Sequence, residues 1–398
     1  MDVVRSRAWW WHRQGLDGSL RESTAAEVLE RAGWARSVGG VAPYLTLFSR
    51  AGIRREAADH ALEQQEIHEL PAARGCTYVL PASDFALGLK AGEGFGGQEM
   101  KTALKLGVTE KELGRLCDAI LKALGKEPLA PETIREATGG AARSLGEAGK
   151  KKGLTTTLPI ALGRLQAIGE IRRVPVNGRL DNQRYQYALW RPSPLKNSKL
   201  SAPETHAALA KKYFRWIGPA TVAEFRQFAG LGVKDTKAAI DAIGLVPMEP
   251  GSDRLMFEED LEMLQTLKVP ARPQYALIGS IDSIVLLRRD LDLLLDPVDR
   301  ASGIIRDPAA KAGGGLLDLP DHGILDRGRI IGLWEYDLES ESIAWTTFGV
   351  KPDKALTAAV AETENYIREQ LGDARSFSLD SPKSRIPRIR VLRKAAGK

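Results

Sequence analysis

A helix signature running straight into a hairpin signature, within residues 154–190, constrains this chain more than any other stretch. Apolar Leu158, Ala161, Leu162, Leu165 and Ile168 recur at helical spacing. Pro159 suits a first helical turn, where its missing N–H costs nothing, and Gly169 is a natural stop. A β-forming run at 171–176, the pair Asn177-Gly178 and a second run at 185–189 follow. Asn-Gly tolerates the positive φ that a tight hairpin turn requires, so these runs predict paired strands, although the return strand starts late. A helix passing directly into a hairpin is the outline of a winged helix. The hairpin carries Arg172, Arg173, Arg179 and Arg184, and Lys150, Lys151 and Lys152 stand just before the helix. Such a face is either a nucleic-acid footprint or an ordinary solvated basic surface.

The same element order recurs elsewhere. Residues 4–14 read as a helix with Trp9, Trp10 and Trp11, which cannot share one helix face and must pack in different directions. Glu27 is placed for a capping box on Ser23 or Thr24. Helices near 43–51 and 54–65 precede strand-like runs at 66–70 and 76–80, and Ser83-Asp84 opens another helix. Residues 109–124 and 131–137 are helical, leading to the organising helix and hairpin. Beyond Arg191-Pro192-Ser193-Pro194, helices at 203–216, 219–228 and 233–243 lead to strands at 245–248 and 254–257. Helices closed by a hairpin thus occur three times, in element order rather than in residue identity.

Past Pro270-Ala271-Arg272-Pro273 the pattern turns β-rich, with runs at 275–281, 315–319, 323–326, 329–336 and 342–348. One helix at 356–371 and a last strand at 376–379 complete it. The expected fold class is α+β: winged helices at 1–95, 96–195 (with the basic hairpin) and 196–270, then a β-rich domain with a basic tail at 271–398. That last domain reads as a small β-barrel or mixed sheet.

Charge is unevenly placed. The whole chain of 398 residues carries net +6, but residues 141–191 alone hold ten Lys/Arg against three acids. Residues 383–398 hold seven Lys/Arg and no acid, which leaves the remainder at net −8. Clustered basicity fits a polyanion footprint better than a uniformly basic surface does, and the tail reads as a tether or a solubilising end. Residues 318–341 hold seven acids against two Lys/Arg. That segment should avoid phosphates and either pack near the basic hairpin or face solvent. No apolar run is long enough to span a bilayer, and the N-terminus has no apolar leader core. Cys76 and Cys117 are far apart and match no zinc spacing. No membrane, metal or cofactor is expected, and a reducing cytoplasm is the simplest compartment.

Four segments in order resemble the AlkZ-like (YcaQ-type) DNA glycosylase family, the tandem winged-helix crosslink-repair proteins. They are Gln14-Gly15-Leu16, Pro43-Tyr44-Leu45-Thr46-Leu47-Phe48-Ser49-Arg50, Leu80-Pro81-Ala82-Ser83-Asp84-Phe85-Ala86-Leu87, and Leu325-Asp326-Arg327-Gly328-Arg329-Ile330-Ile331-Gly332 with Trp334-Glu335. The resemblance implies three winged helices in a concave arrangement, a C-terminal barrel, double-stranded and possibly damaged DNA as partner, and no metal.

It also implies a catalytic Gln-x-Gln or Gln-x-Asp signature, whose positions fall here on Arg36, Ser37 and Val38. No shift of the alignment recovers it, because residues 22–63 contain no Gln. Arg36 has no acceptor and suits a phosphate contact instead, so it joins the DNA-binding candidates. Gln14, Glu66 and Glu335 are the remaining candidates for a catalytic base, each with a structural alternative: a buried amide, a helix-to-strand connector and a barrel salt bridge. Three functions stay open: a DNA-binding protein tied to DNA damage, a DNA glycosylase acting on alkylated or crosslinked purines through displaced residues, and a winged-helix transcriptional regulator.

Overall fold

The first helix, α1 (Val3–Arg13), is the hub of the molecule. Its three tryptophans are all buried and point three ways. Trp9 Nε1 donates to Gly218 O at 2.8 Å, Trp11 Nε1 donates to Gln274 Oε1 at 3.0 Å, and the Arg288 guanidinium lies 3.6 Å from the centre of a Trp10 ring. A computed structural model describes residues 2–95, 97–125, 127–288, 290–305 and 316–397.

After α1 the chain forms α2 (Ala25–Ala32), β1 (Ala35–Arg36), α3 (Ala42–Ala51), α4 (Arg55–Glu63), β2 (Ile67–Pro71), β3 (Thr77–Pro81) and α5 (Phe85–Gly92). Thr24, not Ser23, closes the capping box with Glu27. The strands make an antiparallel sheet in the order β1-β3-β2, with Val79 between Glu69 and Ala35.

Next come α6 (Gly97–Lys105), α7 (Glu110–Ala123), α8 (Pro131–Thr138), α9 (Gly146–Lys150), α10 (Leu158–Ala167), β4 (Ile171–Pro175) and β5 (Tyr185–Leu189). The two strands pair as the Asn-Gly reading expects, from Ile171 opposite Leu189 to Pro175 opposite Tyr185. This stretch builds a core from its own residues, from Ala103 to Tyr187.

A further set follows: α11 (Ala202–Ile217), β6 (Ala220–Thr221), α12 (Val222–Ala229), α13 (Val233–Asp241), β7 (Val246–Pro247), β8 (Arg254–Met256) and α14 (Glu258–Thr266). Capping boxes Ser201/Glu204 and Thr221/Glu224 start α11 and α12 by satisfying first-turn N–H groups. The short strands pair in the order β6-β8-β7.

The C-terminal part holds β9 (Tyr275–Ile278), α15 (Ser283–Leu286), α16 (Pro297–Arg300), β10 (His322–Asp326), β11 (Arg329–Asp337), β12 (Ser342–Thr347), α17 (Lys354–Tyr366) and α18 (Pro382–Ala395). Its strands form one open sheet, β12-β11-β10-β9, antiparallel at every pairing. This corrects the expectation of a barrel or mixed sheet, because β12 and β9 remain separate edges. Residues 376–379 are not a strand. Ser376 N donates to Asp380 Oδ2 at 3.0 Å and Asp380 N to Phe377 O at 2.9 Å, which bends the backbone out of any ladder. The run expected at 315–319 lies outside the described residues at 315, and residues 316–319 form no strand.

The basic tail is a helix, α18, not a free arm. Its cations meet the acidic stretch, whose partner the charge pattern alone does not reveal. Arg388 lies 3.0 Å from Asp321, 3.0 Å from Glu335 and 2.9 Å from Asp380, and Arg393 lies 2.5 Å from Asp337. Arg385, almost fully buried, meets Asp373 at 2.7 Å. Arg385, Arg388 and Arg393 of the tail are therefore set against acids of the sheet and of the segments flanking it.

One hydrophobic core joins α1, α11 and residues of the C-terminal sheet, and a second joins α2 and α3 to the other side of that sheet. Between them Arg50, fully buried, holds Asp282 through two contacts of 2.7 and 2.8 Å and reaches Gln14 Oε1 at 3.0 Å. The Pro43-to-Arg50 segment is thus a structural clamp as well as a sequence mark. Asp282 also caps α15 by accepting from Ile284 N at 3.1 Å.

Candidate active site and nucleic-acid interface

The positions singled out beside the first sheet lie on β1 and the loop after it. Arg36 donates from Nη1 to Thr77 O at 2.6 Å and its guanidinium sits 5.2 Å from the Tyr78 ring centre. The side chain is therefore held along the sheet, half-buried. Val38 contributes only backbone: its carbonyl accepts from Ser378 N at 3.0 Å and from Gln183 Nε2 at 3.3 Å. The following glycines explain how the loop fits. Gly39 has φ +75°, and a Cβ there would lie 2.3 Å from Gln183 Nε2. A Cβ on Gly40 would lie 2.3 Å from Ser376 O and 2.4 Å from Arg375 O, both immovable backbone atoms. The motif loop is clamped between the hairpin loop and the chain before α18.

The residue between them, Ser37, is buried and donates from Oγ to Glu69 Oε2 at 2.5 Å. Glu69 comes from β2, two strands away across the sheet. Tyr185 OH also donates to Oε2, at 3.4 Å, and Arg173 Nη1 stands 3.9 Å from Oε1, beyond hydrogen-bond distance. Both partners belong to the β4–β5 hairpin, and the Arg173 guanidinium lies 5.1 Å from the Tyr185 ring centre. Burial pushes the Glu69 carboxyl above the usual carboxylate range, while the Ser37 hydrogen bond and the Arg173 and Arg36 charges hold it partly down. Burial and the neighbouring Glu69 charge push the Tyr185 phenol up. Next to Glu69, His68 is fully packed between Phe85 and Trp190, with ring centres 6.1 and 5.0 Å away. Burial, then the charge of Arg172, lowers its pKa to about 3.

Sequence reasoning missed Glu69 and Gln183. Both were visible as residue types, Glu69 inside the expected 66–70 strand and Gln183 in the hairpin loop. Only tertiary pairing brings them to the motif loop.

The three base candidates drawn from the sequence lie elsewhere. Gln14 has both ends of its amide committed: Nε2 donates to Trp216 O at 2.9 Å, and Oε1 accepts from Arg50 and from Ser283 Oγ at 2.7 Å. Glu335, with no exposed surface, lies beneath α18 against Arg388. Its pKa is raised well above the ordinary value by burial, with Arg388 opposing. Glu66 is exposed in the connector before β2.

The basic candidates divide in two. Lys150, Lys151, Lys152 and Arg184 are exposed, with Glu147 3.8 Å from Lys150. Arg36, Arg172, Arg173 and Arg179 are half-buried. Arg179 is held by Asp181 at 2.5 Å and donates to Leu371 O at 3.1 Å, so it braces the hairpin rather than facing outward. Among the described residues no group of three His, Cys, Asp or Glu could hold a metal ion, and no helix is long and apolar enough to cross a membrane.

A family model described as "DNA glycosylase AlkZ-like" matches residues 39–377, starting one residue after Val38. No curated protein matches the sequence. Among solved structures, the DNA glycosylase AlkZ of Streptomyces sahachiroi is similar with a TM-score of 0.68 at 17% identity, over 95% of this chain and 98% of that chain. At that identity the likeness is one of fold.

Proposed function

This chain belongs to the AlkZ-like DNA glycosylase family, and we propose that it is a repair-related protein that binds double-stranded DNA and excises bases only weakly through the family's motif positions. Three helix-and-hairpin units, at 1–95, 96–195 and 196–270, act as tandem winged helices on the duplex, and the segment 271–398 braces them. The DNA-binding charges are Lys150, Lys151, Lys152 and Arg184, with Arg173 recruited when the duplex docks. Their exposure or position on the hairpin supports this assignment. The solved DNA glycosylase AlkZ, similar over nearly the whole chain, supports the DNA partner.

One observation carries the reading on chemistry. The resemblance asks for water-orienting amide or carboxylate groups where this chain has Arg36, tied to Thr77 O, and Val38, which offers no side-chain polar atom. A guanidinium has no acceptor and repels a developing oxocarbenium charge. Loss of a positioned group of this kind typically costs about 10²–10⁴-fold in rate.

Single-turnover incubation with duplex DNA carrying N7-methylguanine, followed by alkaline cleavage of abasic sites, tests this. Release is expected at least about 10²-fold below that of an efficient glycosylase, with binding of the same duplex retained in a parallel titration. Fast release would overturn the assignment of weak chemistry, and absence of binding would overturn the DNA-binding role itself.

A further inference from the structure

The tail helix α18 carries its cations in two rows. Arg385, Arg388 and Arg393 turn inward onto Asp373, Asp321, Glu335, Asp380 and Asp337. Lys383, Arg390 and Lys394 are exposed, and among the described residues none of the three has an acid within ion-pair distance. Positions seven and four residues apart fall on one face of a helix, so these side chains form a single outward row. At a rise of about 1.5 Å per residue the row is about 16 Å long, the axial span of about five phosphates on one DNA strand. A solvated helix face ordinarily mixes charges of both signs. This one holds no acid: the exposed residues between Lys383 and Lys394 are Ser384, Ile386, Pro387 and Arg390.

The row begins beside the motif loop. Val38 O accepts from Ser378 N at 3.0 Å on one side and from Gln183 Nε2 of the hairpin loop at 3.3 Å on the other. Arg375 Nη2 donates to Asp181 O at 2.7 Å, a second tie to the hairpin loop. The exposed Arg184 follows Gln183 directly, and α18 begins four residues after Ser378. Leu379, on the way, is 84% exposed, so no element covers the passage from the hairpin to the row. The inner face of α18 fixes the outer one. Ile389 and Leu392 are buried in a core shared with Leu333 and Ala344 of the sheet, so the outer cations stand on a firmly seated helix.

We infer that the outer row of α18 is a second nucleic-acid contact, a phosphate track that continues the basic surface of the hairpin past the motif loop. The inference rests on the reading that the chain binds DNA. Continuity with Arg184 favours a long, stiff polyanion that reaches from hairpin to helix, as a duplex does. A membrane surface would need apolar side chains along the same face, and Ile386 and Pro387 are all that this face offers. The family model ends at residue 377, so the track lies outside the matched region. Contacts to phosphates position a duplex without reading its bases, so the track should add affinity and no sequence preference.

The test titrates fluorescent duplex DNA over a series of salt concentrations. It compares wild type, the triple variant Lys383→Gln, Arg390→Gln, Lys394→Gln, and a control carrying Lys351→Gln and Lys354→Gln. Lys351 and Lys354 are exposed at the approach to α17, which packs in the other core. The triple variant should flatten the slope of log K against log salt by about two to three units, and the control by under about one. An unchanged slope in the triple variant, or equal flattening per charge in the control, would overturn the track while leaving DNA binding in place. Wild type that does not bind DNA would overturn the DNA-binding reading itself, and the track with it. A measurement on the unaltered chain is independent of any substitution: acetylation of its lysines, read by peptide mass spectrometry. Duplex DNA should protect Lys383 and Lys394. Failure of DNA to protect them, or stronger protection by polyglutamate at equal charge concentration, would overturn the assignment to nucleic acid.

Discussion

His68 and Glu69 stand side by side on β2, both buried, and their neighbours make them opposite in chemistry. Glu69 faces the polar seam between sheet and hairpin, whereas His68 faces the aromatic rings of Phe85 and Trp190. The alternation of a strand sends adjacent side chains to opposite faces, so one residue of register separates a hydrogen-bonded carboxylate from a core ring. His68 gives a pH prediction. Its folded pKa, about 3, lies below the ordinary 6.5, so the unfolded chain binds the extra proton first. The stability it contributes is present above 6.5 and is lost as pH falls from 6.5 toward 3, by up to about 1.4 kcal/mol per pH unit. Glu69 works in the opposite sense, since its raised folded pKa favours the folded state at lower pH. His68→Phe isolates the first contribution: chemical denaturation at pH 7 and pH 4.5 should show the variant gaining stability relative to wild type at the lower pH. An equal difference at both would contradict the buried, neutral ring.

The hairpin and the tail helix are two elements whose charge misleads if read from sequence alone. Arg179 is spent on Asp181 and Leu371 O, and Arg388 and Arg393 of α18 are spent on Asp321, Glu335, Asp380 and Asp337. A closely paired cation releases few counterions when DNA binds, so the exposed cations without a close partner, or with only a loose one, set salt dependence. Replacing Lys150, Lys151, Lys152 and Arg184 by Ala should flatten the slope of log K against log salt by about one unit for each phosphate left without its cation. Arg179→Ala should leave that slope nearly unchanged. A fluorescence titration between low and moderate salt distinguishes the two. Equal flattening in both variants would mean that the hairpin rearranges wholesale on DNA.

Across the whole molecule, the chain's beginning and end are folded into each other. α1 supplies tryptophans to two distant partners, Gly218 and Gln274, and Arg50 joins α3 to the start of α15 through Asp282. Arg50 and Asp282 are 0% and 1% exposed. Removing one member of such a pair leaves a buried charge without a partner, at a cost of about 3–5 kcal/mol. Arg50→Met should therefore lower unfolding free energy by that amount, and adding Asp282→Asn should cost less than the sum of the single changes. Additive losses in a denaturant series would show that the clamp is not a coupled unit. Because the cores of α1, α11 and the C-terminal sheet are shared, this loss should be felt across the molecule, whereas residues 103–187 keep a core of their own.

What the sequence determined alone was local. The capping box between Thr24 and Glu27 starts α2, and Asn177-Gly178 marks the β4–β5 hairpin, because these features rest on contacts between residues a few positions apart. The mixture of helix and strand and the family could be read for the same reason, from motifs contiguous in the chain. The open edge of the C-terminal sheet could not, since closing a barrel depends on strand pairing across many residues. The site was decided entirely by tertiary packing. Ser37, Glu69, Arg173, Gln183 and Tyr185 are distant in sequence and meet only where β1, β2 and the β4–β5 hairpin pack together. Likewise the acidic stretch 318–341 and the basic tail each showed their charge plainly, but only the packing of α18 on the sheet turned the two into counterions. Net charge can be counted from residues; which charges remain free to meet a phosphate depends on what the fold has already set against them.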